Sequence, residues 1–214
     1  MNEPYALADQ VNVLQRHSSI PAVLDLPNGA QAQGVTPGWQ YQTWGFYPRV
    51  VVNPPDLRAT VVTSEIERVD VANKKINVTQ RTRALNVDEL TAYNAAQQEK
   101  ACQAGFLYTP LTGPAVIVPV TYSDNNTISM QQQWAATSPT AEVSGRFASQ
   151  TRQGRSIVIP LTSTAEVNHL YRAMGQYTAK INSAQDSINA MITNGTITTY
   201  DDIDQNWAAL VPPP

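Results

Sequence analysis

The stretch EVNHLYRAMGQYTAKINSAQDSINAMITN, residues 166–194, decides the fold of the C-terminal half. Its apolar and small residues fall three and four apart, at Val167, Leu170, Met174, Tyr177, Ile181, Ala184, Ile188 and Met191, with no proline among them and Gly175 off the stripe. That spacing predicts one continuous helix with a narrow seam running for roughly four heptads, the pattern of helices that pack along their length. Leu170, Met174, Tyr177, Ile181 and Ile188 are the seam positions expected to carry the packing, either between chains as a coiled coil or against the rest of the same chain. The flanking Tyr171, Ala173, Thr178, Gln185 and Ser187 are uncharged, where a coiled coil between chains places the charges that select partners. A seam of this kind points to assembly rather than to chemistry.

Working outward, Ser163 with Glu166 reads as a capping box at the start of this helix, and Gly195 ends it. Thr199 with Asp202 starts one more short helix through Trp207 to Leu210. Upstream, the run Ser156 to Leu161 is an apolar strand, preceded by a polar, turn-rich loop from Thr137 to Gly154. Asn86 with Glu89 caps a helix that stops at Gly105. Phe106 to Tyr108 and Val116 to Val120 form two strands around the turn Thr112-Gly113-Pro114, and Asp124 caps a further helix through Gln131 to Trp134.

The first eighty residues have a different texture. The segment 1–18 has neither turn signals nor a clean helical face and is set apart as an N-terminal arm. From Pro21, Ala22 to Pro27 reads as a short strand closed by Asn28-Gly29, followed by a turn-rich stretch from Gln33 to Gly38. The aromatic cluster Trp39 to Tyr47 runs into the strand Arg49 to Val52, which Pro54 and Pro55 end because neither has an amide hydrogen for a ladder. Ala59 to Val69 and Lys75 to Arg83 make a hairpin with a loop of several residues. The expected organisation is therefore an α+β chain. An arm (1–18) and a small antiparallel β-rich module (19–83) precede a helix-hairpin-helix-strand-long helix domain (84–214).

Composition narrows the function. Charged residues are 14% of the chain, Asn and Gln together outnumber them, and the formal net charge is -3. Such a chain offers no basic footprint for nucleic acid, and its uncharged polar surface suits contacts with proteins or sugars. The single cysteine, Cys102, excludes an internal disulfide and reads as a small buried thiol. The N-terminus lacks the pattern of a signal peptide, and no apolar run reaches the roughly 20 residues that span a bilayer, so a cytoplasmically made, soluble product is expected.

Catalytic and metal constellations are absent from the spacing. His17 and His169 read as surface or interface histidines. Asp201, Asp202 and Asp204 could offer oxygens to Ca²⁺, but carboxylates at a helix N-terminus are favoured by the helix dipole alone, and the glycine and distal glutamate of a calcium loop are missing. No enzyme activity, metal or cofactor is expected. The aromatic run leaves two readings open, core packing or contact with a carbohydrate or protein. Trp39, Tyr41, Trp44 and Tyr47 are the candidate receptor or partner contacts.

Several stretches in order, Arg83 to Leu90, Ala104-Gly105-Phe106, Tyr122-Ser123-Asp124, Gln131 to Trp134 and Ile157 to Leu161, resemble the domain of unknown function at the C-terminus of bacteriophage tail and tail-fibre proteins. The resemblance covers residues 83–194. Leu26-Pro27 and Gly45-Phe46-Tyr47-Pro48 are similar to the small β modules that precede that domain. The resemblance implies a virion structural role in a tail fibre or baseplate. It further implies contacts with other tail proteins, homotrimeric assembly and attachment to a host-surface glycan. An assembly chaperone and a carbohydrate-binding tailspike module are the alternatives. The chain beyond Asn194 departs from the family pattern.

Overall fold

The computed structural model describes residues 5–8, 12–18, 23–25, 29–33, 45–137, 145–150 and 154–214. The protein is mixed α+β and divides into two compact units, Met1–Ala84 and Leu85–Pro214.

In the first unit, β1 (Tyr5–Ala8) and β2 (Val13–His17) pair with each other. They belong to a five-stranded sheet with β5 (Phe46–Val51), β6 (Thr60–Asp70) and β7 (Lys75–Ala84), in the order β2-β1-β5-β7-β6. The segment expected to be a separate arm thus supplies two strands. Its small apolar residues are what the sheet needs: Ala6 and Ala8 are buried with Tyr47, Ile76 and Val78, and Val13 and Val69 pack around them. On the opposite face Leu7 pairs with Phe46, whose ring stacks on Tyr5 at 5.7 Å.

The sheet is not wholly antiparallel, because β5 runs parallel to β7. The β6–β7 hairpin is long, its loop is the four residues between Asp70 and Lys75, and a bulge falls between Val62 and Ser64. The expected short strand before Asn28-Gly29 is β3 (Val23–Asp25), paired with β4 (Gln31–Gln33). Gly45 adopts φ +78°, and a side chain there would start 2.5 Å from the Ala8 carbonyl oxygen. The close β1–β5 approach depends on this glycine.

The second unit is organised around α3 (Thr164–Thr193), about 45 Å long at 1.5 Å per residue. Val167, Leu170, Met174, Ile181 and Ile188 are completely buried. They are covered by α1 (Val87–Ala104), α2 (Tyr122–Thr137) and α4 (Tyr200–Leu210) and by strands β8 (Phe106–Tyr108) and β11 (Ser156–Leu161). The seam is therefore filled from within one chain and is not free for a coiled coil between chains. Tyr177 is half-buried, its ring stacked on Phe106 at 4.9 Å.

The local signals that start these helices are mostly reciprocal. Asn86 and Glu89 cap α1, and Thr199 and Asp202 cap α4, each pair satisfying two amides that the helix itself cannot. Two expectations are corrected. Ser163 accepts from the Glu166 amide, but the Glu166 carboxylate does not return to Ser163; it is taken by Thr112 and Thr162 instead. Asp124 is not the cap of α2 but the residue three positions after it: Asp124 Oδ2 accepts from Thr121 N at 3.1 Å, and the Asp124 amide donates to Thr121 Oγ1 at 3.3 Å.

The polar segment before β11, expected to be a loop, contains a strand, β10 (Gly145–Gln150), antiparallel to β11. Only Phe147 of β10 is buried, opposite Ile159, so one aromatic side chain anchors an otherwise polar strand. β8 pairs antiparallel with β9 (Val116–Val118), as the turn at Thr112 to Pro114 requires. Gly105 ends α1 at φ +75°, where a Cβ would lie 2.2 Å from the Val118 carbonyl oxygen.

A candidate contact groove between α1, α2 and α3

Three buried polar groups lock the helices and hairpins of the second unit together. Asn94 of α1 is fully buried, and both polar atoms of its amide have partners: Nδ2 donates to the Gln185 carbonyl at 3.1 Å and to Asn189 Oδ1 at 2.9 Å, while Oδ1 accepts the Trp207 indole N–H at 2.7 Å. One side chain thereby ties α1 to α3 and α4. Glu166 accepts from Thr112 Oγ1 at 2.5 Å, Thr162 N at 2.8 Å and Thr162 Oγ1 at 2.7 Å, which fastens the β8–β9 turn to the start of α3. The bonds from Thr112 and Thr162 hold its carboxyl below the usual range. Asp124 accepts from Ser149 of β10 through its other oxygen, joining that strand to the start of α2.

Beside this framework lies a groove of about 720 Å³ between the end of α1, the start of α2 and the middle of α3. It continues along α3 into a second hollow of about 300 Å³, and the two share Asn125, Thr178 and Asn182. The amides and hydroxyls of Gln98, Gln103, Thr121 and Ser123 line the larger part together with Cys102, Val120 and Tyr122, and most of the wall's surface is apolar. Among the described residues, Glu99 is the only ionised side chain lining either hollow, and Gln103 Nε2 donates to it at 3.1 Å. Cys102 lines the same wall, and burial, reinforced by Glu99, pushes its thiol up.

The wall is also partly pre-set by bonds between its own side chains. Gln98 Nε2 donates to Asn182 Oδ1 at 3.0 Å, and Asn125 Nδ2 donates to the Val120 carbonyl at 3.2 Å and to Thr178 Oγ1 at 3.4 Å. Tyr122 stands at the rim with 85% of its surface exposed.

The residues singled out in the sequence are placed elsewhere. Trp39, Tyr41 and Trp44 lie outside the described residues. Tyr47 is buried in the sheet core of the first unit, so its ring packs inward and is not an outward contact. Leu170, Met174, Ile181 and Ile188 are core of the second unit, and Tyr177 is half-buried beside them. His169 lies on the exposed side of α3 with Nδ1 2.9 Å from the Tyr108 hydroxyl. Burial, with Glu166 nearby, pushes Tyr108 up to about 12. His17 belongs to β2, and its side chain lies outside the described residues.

The three C-terminal aspartates are not gathered around a common point. Asp202 completes the capping box of α4 by accepting from the Thr199 amide, and Asp204 accepts the Tyr93 hydroxyl at 3.0 Å. Among the described residues no group of three His, Cys, Asp or Glu side chains could hold a metal ion.

Sequence reasoning missed the groove and Asn94. One signal for Asn94 was present: it falls four residues after Leu90, so the two share a face of α1, and an asparagine where an apolar residue is expected marks a buried amide with partners. The groove has no comparable signal, because its residues come from three elements spread between positions 98 and 182. Comparison with protein-family models, curated proteins and solved structures finds no match to this chain.

Proposed function

We propose that this chain is a structural component of a bacteriophage tail fibre or baseplate, that it resides in the virion, and that it works through surface contacts rather than catalysis. The observation that carries the reading is the set of large apolar side chains turned outward from the second unit. On α2 these are Tyr122, Met130 at 70% exposure and Trp134 at 45%, spaced eight and four apart on one side of the helix. On the hairpins they are Leu107, Ile117 and Val158, with Leu107 and Ile117 paired on the same face. Side chains of this kind cost free energy in water and favour cover by another polypeptide.

The order of elements across residues 83–194 adds support. The tail-domain resemblance implies a helix, a glycine-aromatic step, a hairpin, a second helix, a strand and a long helix, and α1, Gly105-Phe106, β8–β9, α2, β11 and α3 follow that order. The extra strand β10 and the extra helix α4 depart from it.

Since the α3 seam is occupied within the chain, homotrimer formation would use the outward faces of α2 and the hairpins. The partners proposed are further copies of the chain and other fibre or baseplate proteins. Mass spectrometry of purified phage particles from the strain that encodes the gene should find the protein at stoichiometric abundance. Its presence only in assembly intermediates would replace this reading with an assembly chaperone, and its absence from both would end it. The oligomeric state, measured by light scattering, should shift to monomer in Met130→Glu/Trp134→Glu.

A further inference from the structure

We infer that the outward face of the β6–β7 hairpin is a docking surface for the phosphate backbone of duplex nucleic acid. This goes beyond the contact role above and does not rest on it, since the argument comes from the first unit alone.

The formal charge of -3 over the whole chain conceals a local reversal. Residues 68–83 carry Arg68, Lys74, Lys75, Arg81 and Arg83 against Asp70 alone, a net charge of +4. The register of the hairpin sorts these charges by face. Arg68 lies opposite Asn77 and Lys75 opposite Asp70, and residues two apart on a strand share a face. Lys75, Thr79, Arg81 and Arg83 of β7 therefore stand on one side with Arg68 of β6. The other side carries Ile76 and Val78, which are buried, and the carboxylates of Glu65 and Glu67.

The carboxylates of that inner side are already matched. Arg49 bonds Glu65 at 2.8 Å and Glu67 at 2.6 Å, and Arg16 bonds Glu67 at 3.2 Å. On the outward side of the two strands the single carboxylate is Asp70, and it accepts from the Asn73 amide at 3.1 Å and the Asn73 side chain at 2.9 Å. Arg68 and Arg81 are exposed and have no carboxylate partner among the described residues. The fold thus gathers cations on a surface that lacks the counter-charges to neutralise them, and a polyanion supplies those.

The shape of the hairpin narrows the partner. β5 pairs with β7 from Ile76 to Val78, and beyond that point the hairpin runs on as a two-stranded ribbon. The major groove of a B-form duplex, about 12 Å wide, admits such a ribbon. The cations from Lys75 to Arg83 extend over about 27 Å at roughly 3.4 Å per residue, and a duplex presents one phosphate charge per roughly 1.7 Å of axis. Neither strand contains an aromatic residue, so unpaired bases find no ring to stack on, which favours a duplex over a single strand. An anionic bilayer is matched by cations bordering several large apolar side chains, and on this face of the two strands Ile66 is the one that is exposed.

The experiment is fluorescence anisotropy of a short labelled DNA duplex of mixed sequence, titrated with the full-length protein at several salt concentrations. With Arg68, Lys75, Arg81 and Arg83 each neutralising one phosphate, log K against log salt should have a slope of about -3.6, and affinity should fall roughly 150-fold between about 50 and 200 mM salt. Arg81→Gln/Arg83→Gln should bring the slope to about -1.8 while keeping the wild-type circular dichroism spectrum, because both side chains are exposed. Arg172→Gln, at an exposed position of the second unit, should leave the slope unaltered.

No saturable binding of the duplex at low salt would overturn the assignment, and so would an unchanged slope in the folded Arg81→Gln/Arg83→Gln variant. Tighter binding of a single strand of the same sequence would overturn the choice of a duplex. Stronger binding to polyglutamate or to phosphatidylglycerol vesicles than to the duplex, at equal charge concentration, would overturn it in favour of an acidic polypeptide or a membrane surface.

Discussion

Replacing Asn94 with leucine should destabilise the second unit far more than the change in side-chain volume explains. Asn94 is fully buried, and Trp207, whose indole N–H it accepts, is 7% exposed. Leucine has the same number of side-chain heavy atoms and is somewhat bulkier, so no cavity forms, but the indole N–H loses its acceptor in a place water does not reach. An orphaned buried donor costs about 1–3 kcal/mol. The Gln185 carbonyl and the half-buried Asn189 Oδ1 also lose a donor, which adds a smaller amount.

The informative comparison is a double-mutant cycle. Trp207→Phe alone strands Asn94 Oδ1, whereas Asn94→Leu/Trp207→Phe removes donor and acceptor together and leaves neither orphaned. The double variant should therefore be less destabilised than the sum of the singles by roughly 1–2 kcal/mol.

Urea unfolding followed by circular dichroism at the helix band reads the second unit, since all helices among the described residues belong to it. With a slope of about 1–3 kcal/mol per molar urea, the Asn94→Leu midpoint should fall by roughly 1 M. Strict additivity in the cycle, or an Asn94→Leu midpoint equal to wild type, would refute the view that this amide pins the three helices.

Three further outcomes are expected. Glu166 has a folded pKa below its ordinary value of 4.5, so its contribution to stability is present above that value and is lost as pH falls through the lowered folded value. Thermal melts of Glu166→Gln should show a lower melting temperature than wild type at neutral pH, with the gap closing in acid; a gap that does not vary with pH would contradict the bonds from Thr112 and Thr162. Tyr108, raised to about 12 from 10, should favour folding below pH 10 and lose that contribution as pH rises towards 12, and ultraviolet titration should lose its latest-ionising phenol in Tyr108→Phe. Gly105→Ala should cost about 2 kcal/mol or more, because its Cβ meets backbone in a left-handed region. In contrast, Gly175→Ala, on an exposed helix position with no heavy atom within 4 Å, should stabilise by about 0.5–1 kcal/mol; calorimetry giving both the same sign would contradict the geometry.

What was legible in the sequence is what is decided locally. The caps at Asn86 and Thr199, the stop at Gly105, the β6–β7 hairpin and the α3 stripe each depend on residues a few positions apart, and each lies where those residues put it. The features that were not legible depend on distant partners. Tyr5–Ala8 becomes a strand because Ala6 lies beside Tyr47, and nothing within residues 1–18 reveals that pairing. The parallel match of Arg49 to Ile76 likewise comes from the sheet and not from either strand. Glu166 had the spacing of a capping box, but two threonines, one of them 54 positions away in the chain, offered its carboxylate better donors. Among the candidate contacts, Tyr47 follows the same rule: an aromatic run in isolation does not say which ring faces inward.

The place of α3 in the order of synthesis has its own consequence. The five-stranded sheet is complete once residue 84 has been made, but the helix that α1, α2 and both hairpins of the other unit rest on comes only after residue 163. On the ribosome the N-terminal sheet therefore has all its strands while translation continues. The rest of the polypeptide waits with Leu90 and Ile128, buried residues of two helices that pack on α3, uncovered until α3 emerges from the exit tunnel. That interval is when a nascent chain of this design is most exposed to aggregation and to capture by chaperones.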